Sequence, residues 1–210
     1  GRPAEVLALE DVPTPEPGPG QVRVRVRLTH RPIHPADLSM IRGTYGQSRP
    51  LPATGGNEGF GTIKAVGQGV SDLEVGDRVA KLGQAPTWQD SVVLEADETF
   101  RVPDALGDES AAQLFVNPLT AWLLLEAVDL EAGDVVVQTA GASAVARVAA
   151  EIALSRGVVP VSVVRSDENR DRLEGIGIRV IVADGNTKEN RARLREVAAD
   201  AAAVLDPVAG

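Results

Sequence analysis

The chain of 210 residues contains no cysteine. This absence excludes a disulfide framework and any thiolate metal site. The histidines are only two, His30 and His34, which are too few for a structural zinc. We therefore expect no bound metal and a fold that depends on packing alone.

Aromatic residues are also scarce, at 3% of the chain, and Tyr45 is the single tyrosine. Valine, alanine, leucine and isoleucine must then fill the interior, and these residues suit sheets covered by helices. With 43% hydrophobic and 24% charged residues, the composition is that of a soluble globular protein large enough for two domains. The expected fold class is α/β.

Basic residues are fewer than acidic ones: the chain has 21 basic and 30 acidic residues, and its net charge is −9. Such a chain repels nucleic acids and anionic lipid surfaces, so neither is an expected partner. The sequence also lacks an apolar run near the roughly 20 residues that a membrane helix needs, and its first residues do not resemble a signal peptide. These features predict a cytoplasmic protein.

The first half of the chain contains short β-branched segments separated by glycine and proline. In QVRVRVRL, valine alternates with arginine, which predicts a strand with one buried face within an antiparallel barrel or sandwich. From about Asp108 the apolar spacing becomes helical, with Asp108 as a candidate N-cap and Pro118 in a favoured first-turn position. The predicted domains are residues 1–113 and 114–210.

Strands and helices alternate in the second half. Four apolar strands are predicted at about 134–138, 159–164, 179–183 and 202–206, as in a parallel sheet that is buried on both faces. A complete dinucleotide-binding sheet has about six strands. We therefore expect these residues to form the first part of such a domain.

Small residues from Ala140 to Ala146 lie between a predicted strand and a predicted helix, with Gly141 as the one glycine among them. They predict either a pyrophosphate-binding loop or a turn that is small for packing reasons, and the motif favours neither reading. Arg165 follows the next strand and favours a 2′-phosphate, and hence NADP over NAD, unless it is only a solvated charge. Asp167 or Glu168 could instead meet a ribose.

Several motifs in one order resemble the mitochondrial-type trans-2-enoyl-CoA reductases, or 2-enoyl thioester reductases, of the medium-chain dehydrogenase/reductase superfamily. They are HPADLSMIRGTYG, LPATGGNEGFGTIKAVGQGV, LEVGDRV, TWQDSVVL, NPLTAW and QTAGASAVA with VVR. The resemblance spans essentially the whole chain. It implies a GroES-like antiparallel β-barrel domain followed by a partial, truncated Rossmann domain.

The resemblance also implies roles for individual residues. Tyr45 would be catalytic, Trp88 would line the substrate cleft, and the NADP(H)-binding residues would be Asn117, Thr120, Ala142, Ser143, Ala144, Val145, Arg165, Ser166 and Asp167. Each has a simpler alternative: a packing tyrosine, a core tryptophan, a helix cap at Asn117, a packing threonine or a solvated surface residue. The zinc alcohol dehydrogenases of this superfamily carry Gly-His-Glu where this chain has Gly56-Asn57-Glu58, and they need a cysteine that it lacks.

Two nearby residues receive a separate interpretation. Glu58 is expected to be a structural carboxylate bonded to nearby backbone rather than a catalytic base. His34 replaces an asparagine that is common in the relatives, and we expect a solitary loop histidine, either structural or solvated.

The implied reaction is NADPH-dependent reduction of the C2=C3 bond of an enoyl thioester of CoA or acyl carrier protein. A phenol is protonated at neutral pH, so Tyr45 could stabilise the enolate oxygen and assist protonation at C2. The alternatives are a zinc-free NADPH:quinone oxidoreductase of the same superfamily and a non-catalytic NADP-binding protein. The sequence leaves open whether the protein forms a homodimer.

Overall fold

The computed structural model of the protein describes residues 2–26, 31–46 and 49–207. The chain forms two compact units, Gly1–Val116 and Asn117–Gly210. Within the described ranges, no helix has both the length and the apolar character needed to cross a membrane.

The first unit is built around a five-stranded antiparallel sheet with the strand order β4-β1-β2-β3-β5. Its strands are β1 Gln21–Val26, β2 Phe60–Val66, β3 Arg78–Lys81, β4 Ser91–Glu95 and β5 Thr99–Arg101. Three short helices accompany the sheet, α1 Pro3–Val6, α2 Pro35–Arg42 and α3 Asp108–Ala112, together with a 3-10 turn at Ala96–Glu98.

Strand β1 confirms the predicted alternation. Val22, Val24 and Val26 are buried, whereas Arg25 is exposed. The valines pack in the main core of this unit with residues of β2, β3 and β4. The predicted continuation of this strand through Leu28 lies outside the described residues.

The predicted helix start at Asp108 is wrong by one residue. Gly107 has the extended N-cap conformation, and Asp108 is the first helical residue of α3. The Asp108 carboxylate accepts a hydrogen bond from Arg78 Nη2 at 3.0 Å. Arg78 also donates to the carbonyl oxygen of Leu106 at 2.8 Å, so the arginine fixes the entry into the helix.

The second unit contains a four-stranded parallel sheet with the order β8-β7-β6-β9. The strands are β6 Val135–Gln138, β7 Val159–Val164, β8 Arg179–Val182 and β9 Ala201–Leu205, and the helices are α4 Val116–Glu126, α5 Ala144–Ser155, α6 Arg170–Glu174 and α7 Lys188–Ala199. All four predicted strands are therefore confirmed, and no end differs from the prediction by more than one residue. Pro118 lies in the first turn of α4, as predicted.

Neighbouring residues of β6 show that this sheet is covered on both faces. Val136 packs in a cluster with residues of α4 and α5, and Val137 packs in another cluster with Val197 of α7. Because successive side chains of a strand point to opposite faces, helices cover both sides. This is the arrangement of a Rossmann-type α/β unit, and it confirms the predicted fold class.

The core of the first unit generates a stability prediction. Val24→Ala should lower the free energy of unfolding by about 2 kcal/mol, because it leaves a cavity beneath the sheet. Arg25→Ala, at the next, exposed position of the same strand, should change it by about 0.5 kcal/mol or less. Chemical denaturation of the two variants measures both values, and equal losses would contradict the assigned register.

Candidate active site and nucleotide loop

Tyr45 lies in a tight turn that follows helix α2. The helix ends at Gly43, whose φ of 79° is readily adopted only by glycine. The Thr44 N–H then donates to the Ser39 carbonyl oxygen at 2.9 Å, which closes the turn. Tyr45 is 39% exposed, and its hydroxyl forms no hydrogen bond with any residue that the structure describes. The phenol is therefore available to a ligand.

Trp88 packs on the glycine loop of the GGNEG segment. A Cβ atom on Gly55 would overlap the indole ring, so only glycine fits beneath it. The Trp88 N–H donates to the Gly55 carbonyl oxygen at 3.0 Å, and its indole Nε1 donates to the Pro32 carbonyl oxygen at 3.2 Å. The half-buried ring thus joins the glycine loop to the segment that leads into α2.

Arg49 holds the same loop from another side. Its guanidinium donates to the carbonyl oxygens of Thr54 and Gly56 at 2.9 and 3.0 Å and to the Asn57 side-chain oxygen at 3.1 Å. The side chain of Asn57 is buried. The arginine therefore satisfies carbonyl groups that the turn leaves without backbone partners.

Glu58 is buried, and both of its carboxylate oxygens have partners. Its Oε1 lies 2.6 Å from His34 Nε2, and its Oε2 accepts from the backbone N–H groups of Phe115 and Val116 at 3.0 and 2.8 Å. The expectation that Glu58 bonds to nearby backbone is confirmed. For His34 the structural alternative is confirmed, because its side chain is buried. The histidine is not solitary, however, because Glu58, 24 positions away in the sequence, completes a buried pair with it.

His34 is also the N-cap residue of α2, and Asp37 completes this helix start. The His34 backbone N–H donates to Asp37 Oδ2 at 2.6 Å. The hydrogen bond to the Glu58 carboxylate raises the pKa of His34 above its ordinary value, and burial raises the pKa of the Asp37 carboxyl. This cluster was missed by sequence reasoning, since His34 and Glu58 lie in different motifs.

The loop between β6 and α5 has the geometry of a close strand-to-helix turn. Ala140 has a positive φ of 46°, and a Cβ on Gly141 would overlap the side chain of Ser162 in β7. Ser143 caps α5, since its side chain accepts from the Ala146 N–H at 3.2 Å. The start of this 12-residue helix and the two residues before it comprise Ala142, Ser143, Ala144 and Val145.

A buried glutamine supports this loop from below, which the sequence analysis did not anticipate. Gln138 Nε2 donates to the Ala146 carbonyl oxygen and to the Ser162 hydroxyl, each at 2.8 Å. The sequence signal for these hydrogen bonds is the glutamine at the end of the apolar segment VVVQ, because a buried amide needs hydrogen-bond partners.

The end of β7 carries three of the predicted nucleotide-binding residues. Arg165, Ser166 and Asp167 are all exposed. The Asp167 carboxylate accepts from Arg170 Nε at 2.6 Å, whereas the Arg165 side chain has neither a hydrogen bond nor an ion pair within the described part of the chain. Arg165 is thus an unengaged cation at the carboxyl end of a parallel strand, next to the strand that leads into the loop.

The other two predicted residues lie on α4. Asn117 is buried and Thr120 is half-buried about one turn further along the helix. The structure thus places Tyr45 and Trp88 in the first unit and the remaining predicted residues in the second. Across residues 2–26, 31–46 and 49–207, no three His, Cys, Asp or Glu side chains are grouped so that they could hold a metal ion.

Residues 18–108 match the alcohol dehydrogenase GroES-like domain family. Among curated relatives, the mitochondrial enoyl-[acyl-carrier-protein] reductase of Caenorhabditis elegans is 41% identical over 147 residues, which cover 68% of this chain and 42% of the relative. The human protein of the same name is 38% identical over 162 residues, which cover 73% and 43%. The chain thus spans less than half the length of these relatives.

Three solved structures are also similar. The mitochondrial 2-enoyl thioester reductase Etr1p/Etr2p heterodimer from Candida tropicalis has a TM-score of 0.76 at 30% identity, covering 92% of this chain and 62% of that one. A putative NADPH:quinone reductase from Bacillus thuringiensis has a TM-score of 0.81 at 33% identity, covering 94% and 60%. Mycobacterial Rv1454c complexed with NADPH has a TM-score of 0.78 at 29% identity, covering 91% and 59%.

The packing of Gly141 against Ser162 can be tested by substitution. Gly141→Ala should lower the free energy of unfolding by about 1–3 kcal/mol, because the added methyl group must displace Ser162. Gly46→Ala is the matched control, since a Cβ there meets no atom within 4 Å. It should change stability by about 0.5 kcal/mol or less. Equal effects in chemical denaturation would refute the close approach.

Proposed function

Because this chain belongs to the medium-chain dehydrogenase/reductase superfamily, we propose that it reduces the C2=C3 double bond of trans-2-enoyl thioesters with NADPH. The observation that carries the proposal is the similarity of most of the chain to mitochondrial enoyl-[acyl-carrier-protein] reductases. In this proposal, residues 1–113 are the catalytic domain and residues 114–210 are the first part of the nucleotide-binding domain. The thioester is carried by CoA or by acyl carrier protein.

The residues of the β6–α5 loop fit a pyrophosphate. Gly141 lets the backbone pass close to β7, and the residues from Ala142 to Val145 carry no bulky side chain that would block the start of α5. A helix N-terminus favours a phosphate group through its unpaired N–H groups and its dipole. Ala142, Ser143, Ala144 and Val145 would therefore hold the pyrophosphate of the dinucleotide.

The side chains at the end of β7 favour NADP over NAD. Asp167 is already paired with Arg170, so it is less suited to accept hydrogen bonds from ribose hydroxyl groups. Arg165 is exposed at this strand end, and a guanidinium can bind a 2′-phosphate with two parallel hydrogen bonds. Ser166 would add a hydroxyl beside it, while Asn117 and Thr120 on α4 would contact the nicotinamide end.

Tyr45 is the proposed catalytic residue. The bound cofactor supplies the hydride that C3 of the substrate receives. Negative charge then develops on the thioester carbonyl oxygen, and the Tyr45 hydroxyl would donate a hydrogen bond to it. The same phenol would assist delivery of a proton to C2. Trp88, held against Gly55, would form a fixed wall of the substrate cleft.

Quinone reduction is the second candidate function. It is favoured by the similarity to the putative NADPH:quinone reductase from Bacillus thuringiensis. Such an activity would use the same nucleotide loop, but it would not require a hydroxyl group to stabilise an enolate oxygen. The two candidates therefore differ in their dependence on Tyr45.

The full-length protein should oxidise NADPH, followed at 340 nm, when crotonyl-CoA is added. Tyr45→Phe should lower kcat by about 100-fold or more, which is the usual contribution of a positioned acid or base. The unfolding midpoint of this variant should match the wild type, because the hydroxyl has no hydrogen-bond partner among the described residues. Absence of crotonyl-CoA reduction together with rapid benzoquinone reduction would favour the second candidate.

Arg165→Gln tests the nucleotide preference. The KM for NADPH should rise about tenfold or more, because a charge-assisted contact to phosphate is lost, and the KM for NADH should not change. Arg195→Gln removes an equal charge from the exposed surface of α7 and should leave both constants unaltered. An equal loss with NADH and NADPH would show that Arg165 does not bind the 2′-phosphate.

A further inference from the structure

The buried ionisable residues of the described chain form one group. They are His34, Asp37 and Glu58, which are 7%, 3% and 4% exposed. Enclosing such side chains costs free energy unless they are paired. Their concentration at the start of α2, the helix that leads to Tyr45, therefore suggests a role beyond packing.

Charge balance in this group depends on the imidazole. Glu58 and Asp37 are the charged groups that act electrostatically on His34, and Arg49 acts electrostatically on Asp37. With a neutral imidazole, two carboxylates are opposed by one guanidinium. An imidazolium brings the count to two positive and two negative charges, and its short contact with Glu58 becomes a charge-assisted hydrogen bond.

Asp37 provides a second indication that the group depends on the charge of His34. Its Oδ2 accepts the His34 backbone N–H, but its buried Oδ1 has no hydrogen-bond partner among the described residues. A carboxylate held in this way depends on nearby positive charge for its stability. Loss of a proton from His34 would remove part of that charge.

His34 does not reach Tyr45 directly. Helix α2 has eight residues, so its two ends lie about 12 Å apart at 1.5 Å per residue. Any influence on the phenol must therefore pass through the position of the helix. Glu58 provides a firm anchor for the N-cap residue His34, because the second oxygen of the Glu58 carboxylate accepts from two backbone N–H groups.

We propose that His34 is a positioning residue which, as an imidazolium paired with Glu58, fixes the start of α2 and thereby the turn that presents Tyr45. This inference rests on the proposed function for its effect on catalysis. Its structural part, the coupling between the protonation of His34 and the environment of Tyr45, can be observed without any substrate.

The direction of the pH dependence follows from the raised pKa of His34. The stabilising pair is fully present below the ordinary histidine pKa of 6.5. It is lost as the pH rises through the higher value in the folded protein. Both the fixation of the Tyr45 turn and the stability of the first unit should therefore weaken as the pH rises through the His34 pKa, which lies above 6.5.

Nuclear magnetic resonance of the full-length protein with ¹³C-labelled histidine and tyrosine tests the coupling between about pH 6 and 9.5. The His34 and Tyr45 signals, assigned by their loss in His34→Gln and Tyr45→Phe, should titrate with one common midpoint above 6.5. In His34→Gln the amide still donates to Glu58 but does not titrate. The Tyr45 signal of that variant should then show no transition at the wild-type His34 midpoint.

Activity and unfolding provide independent readouts. In the wild type, kcat for crotonyl-CoA should fall with the same midpoint while the KM for NADPH stays constant, and His34→Gln should lack this transition. His34→Leu, which leaves the buried Oε1 of Glu58 without its donor, should lower the unfolding midpoint by about 5 °C or more.

A Tyr45 signal that does not respond while His34 titrates would overturn the proposal, as would a His34 midpoint below 6.5. Coupled titrations in a protein that does not reduce crotonyl-CoA would support the positioning role and refute the proposed function. The wild-type titration needs only one His34 variant that folds, because that variant serves to assign the His34 signal.

Discussion

The buried carboxylate of Glu58 is the interaction on which the first unit's site depends. A charged group in the interior is stable only when its oxygens are occupied, and here one oxygen contacts His34 while the other accepts two backbone N–H groups. The glycine loop brings the carboxylate to this position, and Arg49 and Trp88 hold the loop from different sides. The turn that presents Tyr45 is thus anchored by a network that begins at a single acidic residue.

In the second unit the corresponding constraint is steric. The backbone after β6 can run against β7 only because Gly141 has no side chain. Gln138 then satisfies the Ser162 hydroxyl and the Ala146 carbonyl oxygen, so the close approach leaves these polar groups paired. Small residues and one buried amide together shape the start of α5.

Prediction from sequence succeeded where the signal is local. The period of two in β1 and the apolar strands of the parallel sheet are set by burial of neighbouring residues, and both are read directly from the residue pattern. The pairing of His34 with Glu58 and the binding of Arg49 to the glycine loop depend on how loops meet in three dimensions. The residue pattern also does not show that Gly107 is the N-cap of α3, nor that Arg78 of β3 donates to the Asp108 carboxylate. Such contacts produce no periodic pattern in the sequence.

The overall charge of −9 repels any anionic ligand. Binding of such a ligand therefore depends on the local charges around its site. Screening limits this general repulsion to about 8 Å at physiological ionic strength, so a ligand near the surface experiences mainly the groups that surround it. Arg170 is held by Asp167 and Glu174, and it contributes little free positive charge. Arg165 follows the end of β7, next to β6, and its side chain has neither a hydrogen bond nor an ion pair with any described residue. In the proposed function, this unpaired arginine at the end of β7 would let an acidic protein bind a phosphorylated ligand.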